Sequence, residues 1–136
     1  MTYGQLKVYT SSILKAKRDV AMTDDNVVIL ALLEEAMINI ANKYKVLKLI
    51  TKSANFRLLR SLGDGYYIRT PKIPRDDTDK LDMDSELHIA LANYIAATLA
   101  SDAKNSDAFR KTANKIVKDY AFKIYNTPKP EMGEFA

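Results

Sequence analysis

Apolar positions recur with helical spacing in four stretches of this chain. Over 3–20, Leu6, Tyr9, Ile13, Ala16 and Val20 fall at steps of three and four. That single stripe predicts a first helix. Lys7, Lys15, Lys17 and Arg18 lie largely off it, and Thr10, Ser11 and Ser12 are weak helix formers in its middle. Thr23-Asp24-Asp25-Asn26 reads as a break and a cap, because a short polar side chain accepts from the first free amides of a following helix. Residues 26–45 predict the strongest helix. Val27, Leu30, Ala31, Leu33, Met37, Ile38, Ala41 and Tyr44 mark a wide apolar surface, and Val28, Ile29, Leu32, Ala36 and Ile40 carry it nearly all round. Such a helix is central and covered by neighbours, or part of it is covered by another subunit. Both readings stand at this point.

The character changes over 46–70. Val46-Leu47-Lys48-Leu49-Ile50-Thr51 and Tyr66-Tyr67-Ile68-Arg69-Thr70 are rich in β-branched and aromatic residues, and Gly63-Asp64-Gly65 is a turn signal. A small antiparallel β element is expected, with Phe56-Arg57-Leu58-Leu59-Arg60 as strand or helical turn. Pro71 and Pro74 end it. An exposed, extended arm over 70–84 carries Asp76, Asp77, Asp79, Asp82 and Asp84. Residues 84–101 predict a third helix with Leu87, Leu91, Tyr94, Ile95 and Thr98 on one face, slimmed by Ala90, Ala92, Ala96, Ala97 and Ala100. A fourth follows over 106–125, with a stripe of Phe109, Ala113, Ile116, Val117, Tyr120 and Ile124. Lys111, Lys115, Lys118 and Lys123 stand mostly off it, on a solvated or partner-facing surface. The short link makes the last two helices antiparallel neighbours. The prolines of 126–136 forbid helix there, so a flexible tail is expected. The expected fold is mainly α: one domain over 1–125, a four-helix bundle with a small antiparallel β element at about 46–70 between helices two and three.

Composition removes several chemistries. The 136 residues contain no cysteine and one histidine, His88. Disulfides, thiolate metal sites and cysteine nucleophiles are excluded, and a histidine-rich metal site with them. The four glycines allow neither a dinucleotide fingerprint nor a phosphate-binding loop. The longest apolar run, 27–33, is far short of a membrane span. The N-terminus has no charged stretch followed by an apolar one, so no signal peptide is expected. An enzyme is not expected, and neither is a cofactor.

The net charge of +4 is unevenly spread. Residues 1–75 carry 13 basic and 6 acidic groups, 76–103 carry one basic and seven acidic, and 104–136 carry seven basic and four acidic. Alternating sign suits self-complementary packing, with the acidic stretch of one copy against basic surface of another. It is equally what differing solvated surfaces produce. The aspartates at 76–84 fail as a calcium loop: counted from Asp77, the sixth position is Asp82, not glycine, and the twelfth is His88, not glutamate. His88, near a helix N-terminus, is expected to be neutral and to serve packing or an interface. Tyr66 and Tyr67 beside Arg57, Arg60 and Arg69 suit a half-buried β element or a protein interface, and also base stacking. Glu34 and Glu35 point about 100° apart on their helix and do not form an acid–base pair.

Three features carry a resemblance. The run Tyr66-Tyr67-Ile68-Arg69-Thr70-Pro71-Lys72-Ile73-Pro74 leads into Asp79-Lys80-Leu81-Asp82-Met83 and then Glu86-Leu87-His88-Ile89-Ala90-Leu91-Ala92-Asn93-Tyr94. With the Thr23-Asp24-Asp25-Asn26 cap and the element order, most of 20–125 resembles the head–tail connector (adaptor) proteins of tailed bacteriophages and prophages. The resemblance is weaker over the long, basic first helix. It implies a ring homo-oligomer of about a dozen copies, docked beneath a portal protein, offering a platform to tail-side proteins. Double-stranded DNA would pass through the lumen without sequence readout. The implied location is the virion, and the host cytoplasm during assembly. Asp76, Asp77, Asp79, Tyr66, Tyr67 and Arg69 are the expected subunit-interface residues. Pro128, Pro130, Met132 and Phe135, in the tail, are the expected portal-docking ones. A small helical nucleic-acid-binding or regulatory module, using the lysines of the fourth helix and Arg57, Arg60 and Arg69, is the alternative.

Overall fold

The computed structural model describes residues 1–126, with side chains through Ile124. Four helices enclose the core: α1 (Tyr3–Ala16), α2 (Asn26–Lys43), α3 (His88–Leu99) and α4 (Ala103–Asn126). Between α2 and α3 the chain forms a three-stranded antiparallel sheet of β1 (Ile50–Thr51), β2 (Leu58–Gly63) and β3 (Tyr66–Arg69), with β3 in the middle. This is the mainly α architecture with a small β element that the periodicities predict.

Local chemistry sets the boundaries. Thr2 and Gln5 cap α1 reciprocally: the Thr2 hydroxyl accepts from the Gln5 amide, and the Gln5 side chain accepts from the Thr2 amide. The helix ends at Ala16, four residues before the expected end. Arg18 takes a left-handed conformation (φ 53°), and the Asp19 amide donates back to the Leu14 carbonyl. That closes a helix terminus without the glycine that usually marks it. Val20 therefore leaves the helical stripe and is exposed. The buried face of α1 is Tyr3, Leu6, Thr10 and Leu14.

Asp25 caps α2 by accepting from the Val27 amide, within the predicted capping segment. Asp102 accepts from the amides of Lys104 and Asn105, so α4 starts three residues before the predicted position. The expected third helix is split: Ser85–Leu87 is a 3₁₀ turn, and α3 proper runs from His88. Most of the expected first strand is also helical. Leu47–Leu49 is a 3₁₀ turn that buries Leu49, leaving Ile50 and Thr51 to pair with Ile68 and Tyr67. Segment 58–63 is strand, with register shifts on either side of the Arg60–Ile68 and Ser61–Tyr67 pairs. Gly63, Asp64 and Gly65 all have positive φ in the turn, where glycine carries no steric penalty.

The central helix is α3. It packs on α1, α2 and α4 and buries nine of its twelve residues, among them Ala90, Ala92, Ala96 and Ala97. Small side chains let three helices approach one axis closely. One of the two readings of the sequence places α2 there. Instead α2 buries only Leu33, Ala36, Met37, Ile40 and Ala41, and Val27 and Val28 face solvent, 73% and 38% exposed. The helices α3 and α4 are antiparallel neighbours: Tyr94 donates to the Asn114 side chain, and Ser106 donates to the Ala97 carbonyl.

Candidate interaction surfaces

The proline-and-aspartate arm is a strap bound across the start of α1, with its tip at 75–78 and the side chains of Lys72 and Lys80 exposed. Pro71, Pro74, Leu81, Asp82 and Met83 are buried. The expectation of an exposed segment overlooked how apolar residues alternate with acids through its second half. The first amides of any helix lack internal partners. Here Tyr3 donates to the Asp79 carbonyl and Gly4 to the Asp77 carbonyl, both at 2.9 Å, while Leu81 donates back to the Met1 carbonyl at 3.1 Å. Gly4 suits this approach, since a Cβ there would lie 3.1 Å from Asp77 and the strap would have to shift slightly to admit it.

The strap is fastened to the sheet by one ion pair. Both Arg69 nitrogens donate to the Asp82 carboxylate, at 2.5 and 2.8 Å, and each side chain is only 12% exposed. The Lys72 amide donates to the same carboxylate. Burial pushes the Asp82 carboxyl up, but the hydrogen bonds from Arg69 and Lys72 and the nearby cations outweigh it and hold it below its ordinary value. At the other end of the arm, Tyr120 donates to Asp84 and accepts from the Leu47 amide, tying α4 to the strap and the 3₁₀ turn. Burial, then Asp84, keeps that phenol protonated.

The predicted interface residues divide accordingly. Asp76 accepts from Thr78 within the tip. Asp77 pairs with Lys7 at 2.7 Å, and Asp79 accepts from the Arg75 and Asp76 amides. Arg69 is engaged inside the chain. Tyr66 and Tyr67 are half-buried on β3, on opposite faces by strand alternation, and Lys52 sits 4.6 Å from the Tyr66 ring centroid. Arg60, grouped with the tyrosines in the sequence, donates instead to the carbonyls of Ala41 and Tyr44 and caps the end of α2. A stacking surface built on Arg60 and Arg69 is therefore not assembled. Pro128, Pro130, Met132 and Phe135 lie outside the described residues.

His88 is buried packing. Its Nε2 lies 2.9 Å from the Met83 carbonyl, which can only accept, so Nε2 carries the proton and Nδ1 accepts from the Met1 amino group at 2.7 Å. Burial, ahead of the helix terminus invoked from sequence, lowers its pKa; the Met83 carbonyl opposes the shift, and the positive charge of Met1 adds to it. A depressed folded pKa means that the unfolded chain binds the proton first as pH falls. The stabilisation is complete above about pH 6.5 and is lost progressively below it. Urea midpoints of the wild type should fall between pH 6.5 and 5. His88→Gln should flatten that slope, because the chain has no other imidazole. An unchanged slope in the variant contradicts this assignment.

Two further surfaces stand out, a cleft the sequence did not suggest and the outer face of α2, where it left coverage by another subunit open. A cleft of about 320 Å³ lies between α2 and α4 over α3, lined by Leu32, Ala36, Ile40, Tyr94, Thr98 and Arg110 among others. The solvent face of α2 pairs exposed Val27, Val28 and Ala31 with Glu34 and Glu35. Among the described residues no group of three or more His, Asp or Glu side chains is gathered to hold a metal ion, and no helix is long and apolar enough to cross a membrane. Comparison of the chain with protein-family models, curated proteins and solved structures gives no match.

Proposed function

We propose that this chain is a structural subunit of a virion, a head–tail connector that forms a ring, docks to the portal and surrounds the passing DNA. The observation that carries the reading is the solvent face of α2. A helix with twelve apolar or small positions is packed on one side only, and it leaves two valines in water. Apolar surface of that kind, rimmed by charge, marks a place where another molecule sits. The connector resemblance of residues 66–94 supplies the kind of assembly. The strap supports it too, because its anchored ends hold Asp76 and Asp77 out at a fixed tip, as a contact between rigid copies needs. Residues 127–136, with Pro128, Pro130, Met132 and Phe135, remain the proposed portal-docking segment.

Deleting the gene from the replicon that carries it tests this. The expected result is DNA-filled heads and free tails that fail to join, restored by supplying the gene in trans. Complete tailed particles at wild-type yield would refute the reading. The lysines of α4 favour a second reading, a nucleic-acid-binding module. Gel-shift of duplex DNA by the isolated chain, weakening steeply with salt, would support it.

A further inference from the structure

The outer face of α4 carries a stripe of one sign. At about 100° per residue, Lys104, Lys111, Lys115, Lys118 and Phe122 fall within an arc of roughly 60°. All five are exposed, Phe122 at 71%. The solvent face of α2 carries the opposite sign. Val27, Val28, Ala31, Glu34 and Glu35 fall within roughly 120°, all exposed, with Asp24 and Asp25 exposed just before them. None of these lysines, and neither glutamate, is in an ion pair among the described residues.

We infer that the α2 face of one copy docks on the α4 stripe of the next copy. The two faces match in spacing as well as in sign. Seven residues separate Phe122 from Lys115, and seven separate Val27 and Val28 from Glu34 and Glu35. Run antiparallel, the two helices set the Phe122 ring over the valine pair while Lys115 meets the glutamates, about 10 Å along. Lys118 then lies over Ala31, whose small side chain lets the helices approach. The aromatic and the valines bury one another, and the charges around them fix direction and register. Because α2 and α4 pack separately on α3, the contact joins unlike surfaces. It leaves each copy with one unmatched face of each kind, and such contacts close into a ring where the rotation between copies closes and run on as a filament where it does not. This inference rests on the self-assembly part of the reading above and names the surfaces that perform it. It adds an α2–α4 contact to the strap tip proposed above.

The test uses full-length chains with reversed charge. One variant carries E34K and E35K. The other carries K111E, K115E and K118E. Every changed position is exposed, and circular dichroism confirms folding. In sedimentation velocity each variant alone should associate about tenfold or more weakly than wild type. An equimolar mixture should regain association, because the reversed α2 face of one variant meets the reversed α4 stripe of the other, and the two unreversed faces meet likewise. A chain carrying all five substitutions should regain it alone. Two folded variants that associate like wild type overturn the inference and leave ring formation by another surface standing. Wild-type chains that stay monomeric overturn both. If K111E, K115E and K118E abolish salt-sensitive binding of duplex DNA and leave association intact, the stripe is a nucleic-acid surface and the inference is wrong.

Discussion

Arg69→Ala should destabilise the chain by about 3–5 kcal/mol in urea unfolding at pH 7. The substitution removes both donors that face Asp82 and leaves a carboxylate buried on the strap with only the Lys72 amide donating to it. The loss reflects an uncompensated charge more than the pair's own worth. Arg69→Met with Asp82→Leu should therefore recover most of the stability. Lys7→Ala, which breaks the exposed pair with Asp77, should cost no more than about 1 kcal/mol. Since Asp82 is held below its ordinary value, its stabilisation is present above about pH 4 and is lost as pH falls toward its folded value. Equal losses for Arg69→Ala and Lys7→Ala would show that the strap is not fastened where this geometry fastens it.

Leu91→Ala should cost about 2–5 kcal/mol, and Val27→Ala should stay within about 0.5 kcal/mol in the monomer. Leu91 is fully buried at the centre of α3, where α1, α2 and α4 converge, so the surrounding helices cannot collapse into the space. Val27 sits in the most apolar stretch of the chain and faces solvent. Hydropathy alone would rank the two the other way. Chemical unfolding of both variants at low protein concentration checks the ranking. A Val27→Ala loss near that of Leu91→Ala would return α2 to the core.

That pair shows what the pattern of residues conveys and where it stops. Four helices, the Gly63-Asp64-Gly65 turn and the Asp25 cap follow from local rules, and the structure has them. Which helix takes the centre depends on what packs on what. Both α2 and α3 are apolar on most sides. The five alanines of 90–100 were the usable sign, since only a slim helix admits three neighbours. The end of α1 was hidden because Arg18, not glycine, adopts the left-handed conformation there. The strap was misread for a different reason. Asp82 belongs to an acidic cluster by sequence, yet it is the one member drawn fully inside, by an arginine thirteen positions earlier. Buried ion pairs across such a separation leave no periodic trace. Of the surfaces, the lysines of α4 were visible along the chain. Their partner face on α2 was visible only as excess hydrophobicity, and exposure made it a surface.

Self-assembly is measured most directly by native mass spectrometry of the full chain at about 100 μM. A closed species of about a dozen copies is predicted, with no ladder of larger forms. A monomer mass under all conditions would contradict it.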